Sequence, residues 1–267
     1  MTKVNHVYEY LKSIAPLEMA NESDNVGFLV GTINADVSKV LVCLDITDEV
    51  VTEALDAGAE LIVAHHPMFF SLDKVTDTDI IGKKIVRMLA GGISAVCMHT
   101  NLDAAHGGVN DVLAVTVGIA DKNRDAKPLS EAKRLATGEI VSLGRVGYLE
   151  APCSMPEYLD KLKKALKVNG IRYFDAARQV HKVAIASGSG GGEWENAKKS
   201  GCDTFVTADI KYHMFLEAKE LGINIIDGGH FCTENIISDV LVERLITEFP
   251  SLDVFISKKL DQTINFY

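Results

Sequence analysis

Apolar residues recur at Val4, Val7, Leu11 and Ile14, which predicts an amphipathic helix over residues 4–15. After a polar NESDN loop the period shortens. GFLVG at 27–31 predicts a short edge strand, and the nearly unbroken apolar run VLVCLDI at 40–46 predicts a strand buried on both faces. Asp48 then caps a helix containing Val50, Ala54 and Leu55 that stops near Gly58, and LIVA at 61–64 returns as a strand ending at His65-His66-Pro67. A further helix over 80–90, with Ile81, Ile85 and Leu89 on one face, precedes a strand at 93–98 that runs into HTNLDAAHGG.

The second half repeats this rhythm after a connection at 121–139, the least periodic stretch of the chain. A strand at 143–152, a helix over 156–168 capped by Ser154, and a strand at 182–187 follow in turn. Lys39-Val40 matches Lys182-Val183, and the segment 57–63 matches 200–206, both at a spacing of 143 residues; Gly92-Ile93 matches Gly222-Ile223 at 130. One copy with a longer loop accounts for the change of spacing and points to internal duplication. The expected fold is α/β, with two similar α/β domains and polar clusters meeting at a shared interface. The first domain takes 1–125 plus roughly 231–267, and the second takes 126–230.

A length of 267 residues suits two domains of about 150 residues or fewer. With 47% hydrophobic and 24% charged residues the chain is expected to fold without disordered tails. A net charge of -10 repels polyanions, and the lysine pairs are interspersed with apolar residues, so nucleic acid is a poor partner. No segment reads as a secretory signal or a membrane span, and five cysteines without a CxxC pair read as reduced core thiols. A cytoplasmic protein is the expectation.

Chemistry concentrates where strands end. His65 and His66 place two imidazoles beyond a strand, where adjacent side chains face opposite ways and two ions explain the adjacency better than one. Asp103 adds an oxygen donor, and His230 with Glu234 are four apart, on one face of a helix. Each alone has a plain alternative: a packed turn, a turn cap, a local helix pair. Together, His65, His66, Asp103, His230 and Glu234 make a mixed nitrogen and oxygen set suited to two divalent ions if Glu234 bridges.

The motifs HHP at 65–67, HTNLDxxxGGxN at 99–110, DIKYH at 209–213 and DGGHFCTEN at 227–235, with DNxGFLVG at 24–31, resemble the GTP cyclohydrolase 1 type 2 homologue family. The resemblance implies a two-part α/β fold holding a dinuclear metal centre in a cleft, and a homo-oligomer, often a ring-like hexamer. It assigns His66 and Asp103 chiefly to one ion, His65 and His230 to the other, and Glu234 to both. Zn, Mn, Fe, Co or Ni all suit such donors. The expected activity is metal-dependent hydrolysis of a small phosphorylated or nucleotide-like metabolite, the alternative being a metal-stabilised regulatory or binding module without turnover. No feature of the chain specifies GTP as the substrate.

His99 and His213 are the candidate proton carriers. Lys211 suits an anionic substrate group or a surface ion pair. The glycine-rich segment 188–193 suits either anion contact or close packing, and Trp194 suits base stacking less well than anchoring a loop. Asp45 and Asp227 leave strands where they suit either support of a ligand or a turn.

Overall fold

Two units emerge in the computed structural model, which describes residues 1–121 and 123–267: Met1–Ala105 with Ile237–Asp261, and His106–Ile236 with Gln262–Tyr267. The first unit therefore gives way to the second at Ala105 rather than at the expected 125. Leu113, Ala114, Val117 and Ile119 are buried in the second unit's core with Leu149 and Tyr158, which draws their helix there. The last residues join the same unit, where the Phe266 ring lies against Gly170.

In chain order the first unit supplies α1 (Val4–Ile14), β1 (Gly27–Val30), β2 (Lys39–Cys43), α2 (Asp48–Ala57), β3 (Leu61–Ala64), α3 (Ile80–Ala90), β4 (Ser94–Cys97) and α4 (Thr100–Ala104). The second supplies α5 (Val109–Thr116), the two-residue strands β5 (Lys127–Pro128), β6 (Lys133–Arg134) and β7 (Ile140–Val141), then β8 (Arg145–Cys153), α6 (Met155–Ala165) and β9 (Arg172–Phe174). It continues with β10 (Val180–Ile185), α7 (Trp194–Lys199), β11 (Thr204–Thr207), α8 (Tyr212–Leu221), β12 (Asn224–Asp227) and α9 (His230–Glu234). Helix α10 (Ile236–Glu248) and strand β13 (Asp253–Ile256) complete the order.

The first sheet runs β1-β4-β3-β2-β13, parallel throughout except for β1; the second runs β5-β8-β10-β11-β12-β9, with β10, β11 and β12 parallel. Every residue of β3, β4, β11 and β12 is buried, which explains why their sequences lack a polar alternation. The registers coincide between units. Val40 lies opposite Leu61 and Leu61 opposite Ser94, as Val183 lies opposite Thr204 and Thr204 opposite Asn224. In both sheets the strand that precedes this parallel trio in the sequence, β1 or β9, pairs antiparallel with its last member.

The matching residues do matching work. Lys39 Nζ donates to the Ala57 carbonyl at the end of α2, and Lys182 Nζ to the Ser200 carbonyl at the end of α7. A cation there offsets the partial negative charge of the helix C-terminus, worth about 0.3–1 kcal/mol. Glu60 accepts from the Ser38 and Lys39 amides, and Asp203 from those of His181 and Lys182.

Several expectations shift by a residue or a face. Thr47, not Asp48, caps α2: its side chain accepts from Val50 N, Asp48 is the first helical residue, and Gly58 ends the helix at φ 68°. Helix α3 buries Gly82, Ile85 and Met88 while Leu89 is 52% exposed, because the core-facing stripe steps by three residues on either side of Ile85 rather than by four. Helix α6 begins with the Ser154–Glu157 capping box and stops at Ala165, before the positive φ of Lys167. No helix among the described residues is long and apolar enough to cross a membrane.

Candidate metal centre

In the first unit β3 and β4 are parallel with Ala64 opposite Cys97, so the two chains leave the sheet side by side and carry His65 and His66 alongside Met98 and His99. His65 is fully buried, with Nδ1 2.8 Å from the Met98 carbonyl oxygen. That oxygen only accepts, so Nδ1 carries the proton and Nε2 keeps the lone pair of the neutral ring. Nε2 lies 3.5 Å from Oδ1 of Asp103, a buried residue of α4.

His66 repeats the arrangement with Nδ1 2.7 Å from Asp45 Oδ1, and His99 with Nδ1 2.9 Å and 3.0 Å from the two oxygens of Asp24. One ligand atom from each of His65, His66 and His99 lies within 4.8 Å of the other two. Burial by itself would raise the Asp24 pKa, but hydrogen bonds from His99 and from the Thr100 hydroxyl and amide, with the imidazole charge, hold it well below the usual carboxylate range.

In the second unit β11 and β12 pair with Thr207 opposite Asp227, and beyond them come Asp209 and His230. Asp209 turns at φ 52° and its Oδ2 lies 2.7 Å from His230 Nδ1, while His230 Nε2 lies 3.0 Å from Glu234 Oε2. Burial opposes protonation of His230, but hydrogen bonds and charge from Glu234 and then Asp209 outweigh it and push the pKa up to about 9. Glu234 is 4% exposed and sits against Gly188, where a Cβ would come 1.8 Å from Oε1. Gly188, at φ 53°, donates its amide to Thr233 Oγ1 and so fixes the loop to α9.

By the matched registers Gly188 stands where Asp45 stands in the first unit, since they lie three residues beyond the equivalent strand positions Ile185 and Val42. One copy uses that position to hold an imidazole, the other to make room for a carboxylate.

His65, His66, His99 and Asp103 thus gather in the first unit, and His230 and Glu234 in the second. His213 is exposed on the first turn of α8 and belongs to no histidine–carboxylate group found among the described residues. Lys211 is exposed as well, and Trp194 is partly buried against the hydrophobic cluster that includes Phe205, the anchoring role. The glycine-rich segment is shaped by close packing, since a Cβ on Gly190 would meet Ala186 and one on Gly191 would meet Met214. Asp227 accepts from the Ile210 and Gly229 amides and pairs with Arg172, whereas Asp45 supports His66. Asp24 and Asp209 lie in the motifs at 24–31 and 209–213 that carry the resemblance, and the structure adds which imidazole each one holds, His99 and His230.

The fold and these clusters define a two-unit α/β protein that gathers histidine and carboxylate donors at the ends of its parallel strands. The model of the Duf34/NIF3 (NGG1p interacting factor 3) family matches residues 2–262, and the chain belongs to that family. It is 34% identical over 273 residues to a Clostridium perfringens protein named GTP cyclohydrolase 1 type 2 homolog, covering 99% of both chains. A Staphylococcus aureus hypothetical protein has a similar structure, with a TM-score of 0.90 at 26% identity over 99% of each chain. A Bacillus cereus protein related to NIF3 shares the fold at 23% identity, with a TM-score of 0.88 over 100% of this chain and 99% of that one.

Proposed function

We propose that this protein holds two divalent metal ions through His65, His66, Asp103, His230 and Glu234 and uses them to hydrolyse a small phosphorylated or nucleotide-like metabolite. The observation that carries the reading is the neighbouring pair His65 and His66, a carbonyl or carboxylate engaging Nδ1 of each ring, with His65 Nε2 3.5 Å from Asp103 Oδ1. Such outer partners fix the tautomer and orientation that a metal-binding imidazole requires. The glycine at 188 supports a role for Glu234, because it leaves the carboxylate room beside His230.

Bound divalent ions supply Lewis acidity, polarising a carbonyl or phosphoryl oxygen and making water more acidic. The donors suit Zn, Mn, Fe, Co or Ni. His99, beside the other two imidazoles, is favoured over the exposed His213 as the proton carrier. A homo-oligomer, a ring-like hexamer in the family's pattern, completes the proposal and is checked by light scattering.

Elemental analysis of protein purified without a metal-binding tag tests the reading. Two equivalents are expected after reconstitution, with a loss in Glu234→Gln beyond the roughly 10–100-fold that losing an outer partner costs. Reconstituted protein is then assayed against phosphoesters, nucleotides, amides and cyclic metabolites. Metal at trace level sinks the proposal, and tight metal without turnover on any of these classes favours a regulatory module.

A further inference from the structure

The carboxylate of Asp24 lies outside the proposed ligand set, yet four donors converge on it: His99 Nδ1, the Thr100 amide and hydroxyl, and the Asn25 amide. Its side chain is 2% exposed. Thr100 Oγ1 itself accepts from the Asn21 amide at 3.0 Å, which leaves its own proton for Asp24. An ionised carboxylate only accepts, so the hydrogen between Asp24 and His99 belongs to Nδ1 and the lone pair of the neutral ring to Nε2. Through Thr100, the next residue in the chain, the same carboxylate also ties down the backbone on which His99 sits.

We propose that Asp24 is a positioning residue that locks His99 in the Nδ1–H tautomer and so makes its Nε2 the proton acceptor for chemistry at the histidine cluster. The inference rests on the proposed hydrolytic function. In the step it implies, one O–H bond of the attacking water breaks, its proton forms a bond to Nε2, and the pair left on oxygen forms the bond to the carbonyl or phosphoryl centre, whose bond to the leaving group breaks with its pair going to that group. The resulting imidazolium is held 2.9 Å from Asp24 Oδ1, where the opposite charge stabilises it.

Long-range proton–nitrogen NMR on the metal-free protein, at a pH where its imidazoles are neutral, reads the tautomer directly, with His99→Gln assigning the resonance. The wild type is expected to show Nδ1–H. In Asp24→Asn the two Thr100 donors claim the carboxamide oxygen, its NH2 turns to His99 Nδ1, and the tautomer reverses to Nε2–H. Thr100→Val keeps the carboxylate and is expected to keep Nδ1–H.

A wild-type His99 protonated on Nε2 overturns the proposal, and this measurement decides alone if Asp24→Asn does not fold. A folded Asp24→Asn protein that keeps Nδ1–H overturns it too, as does reversal in Thr100→Val. Metal content and turnover are separate readouts, so failure of the hydrolase reading and failure of the tautomer lock are told apart.

Discussion

Replacing Gly188 by alanine tests the second-unit cluster at its tightest point. The new Cβ arrives 1.8 Å from Glu234 Oε1 and 3.1 Å from His230 Nε2, whereas ordinary contact begins near 3.4 Å. The carboxylate is the far end of a side chain, so it can retreat by more than an ångström, a shift that disturbs the 3.0 Å contact of its other oxygen, Oε2, with His230 Nε2. Alanine at φ 53° adds about 1–2 kcal/mol of backbone strain, a fall in melting temperature of roughly 2–8 °C. Displacing a metal-binding carboxylate is expected to weaken metal affinity by at least about tenfold. Calorimetry of the metal-free protein and equilibrium dialysis with metal read the two effects separately. Gly192→Ala is the control, since nothing lies within 4 Å of its added Cβ. If Gly188→Ala bound metal like the wild type, Glu234 would not be a ligand in the position described. An unchanged melting temperature would refute the strain argument.

Thr47→Ala removes the oxygen that accepts from Val50 N and should cost about 1 kcal/mol; chemical denaturation that finds no change would return the cap to Asp48. His230, with its pKa pushed up to about 9, gives a pH signature in the metal-free protein. A raised folded-state pKa stabilises fully below the unfolded value of about 6.5, and the stabilisation is lost as pH rises through the folded one. The wild-type melting temperature should therefore fall across that window relative to His230→Gln, and parallel profiles would show that Glu234 and Asp209 do not hold the proton there.

The parallel strands were legible because burial on both faces leaves continuous apolar runs, as at Leu61–Ala64. The pair His230 and Glu234 was legible because both lie on one short helix, α9. What spacing could not supply was anything that depends on which strand lies beside which. His99 joins His65 and His66 only because β3 and β4 are neighbours in register, and Asp24 reaches His99 from 75 positions away. The domain limit differs for a related reason: the spacing of Leu113, Ala114 and Val117 does not say which core they join, and the structure places them in one buried cluster with Leu149 and Tyr158. Strand β13 beside β2 was likewise invisible, since parallel pairing across the length of the chain leaves no local mark.

The pair Asp45 and Gly188 makes the two repeats non-interchangeable. Writing aspartate at 188 to restore symmetry would drive its Cβ to 1.8 Å from the Glu234 carboxylate and set a second negative group against it. Writing glycine at 45 would strip His66 of the oxygen that orients its ring. A descendant of a tandem copy so divided has no single-step road back to equality, and each half must be inherited with its own specialised turn.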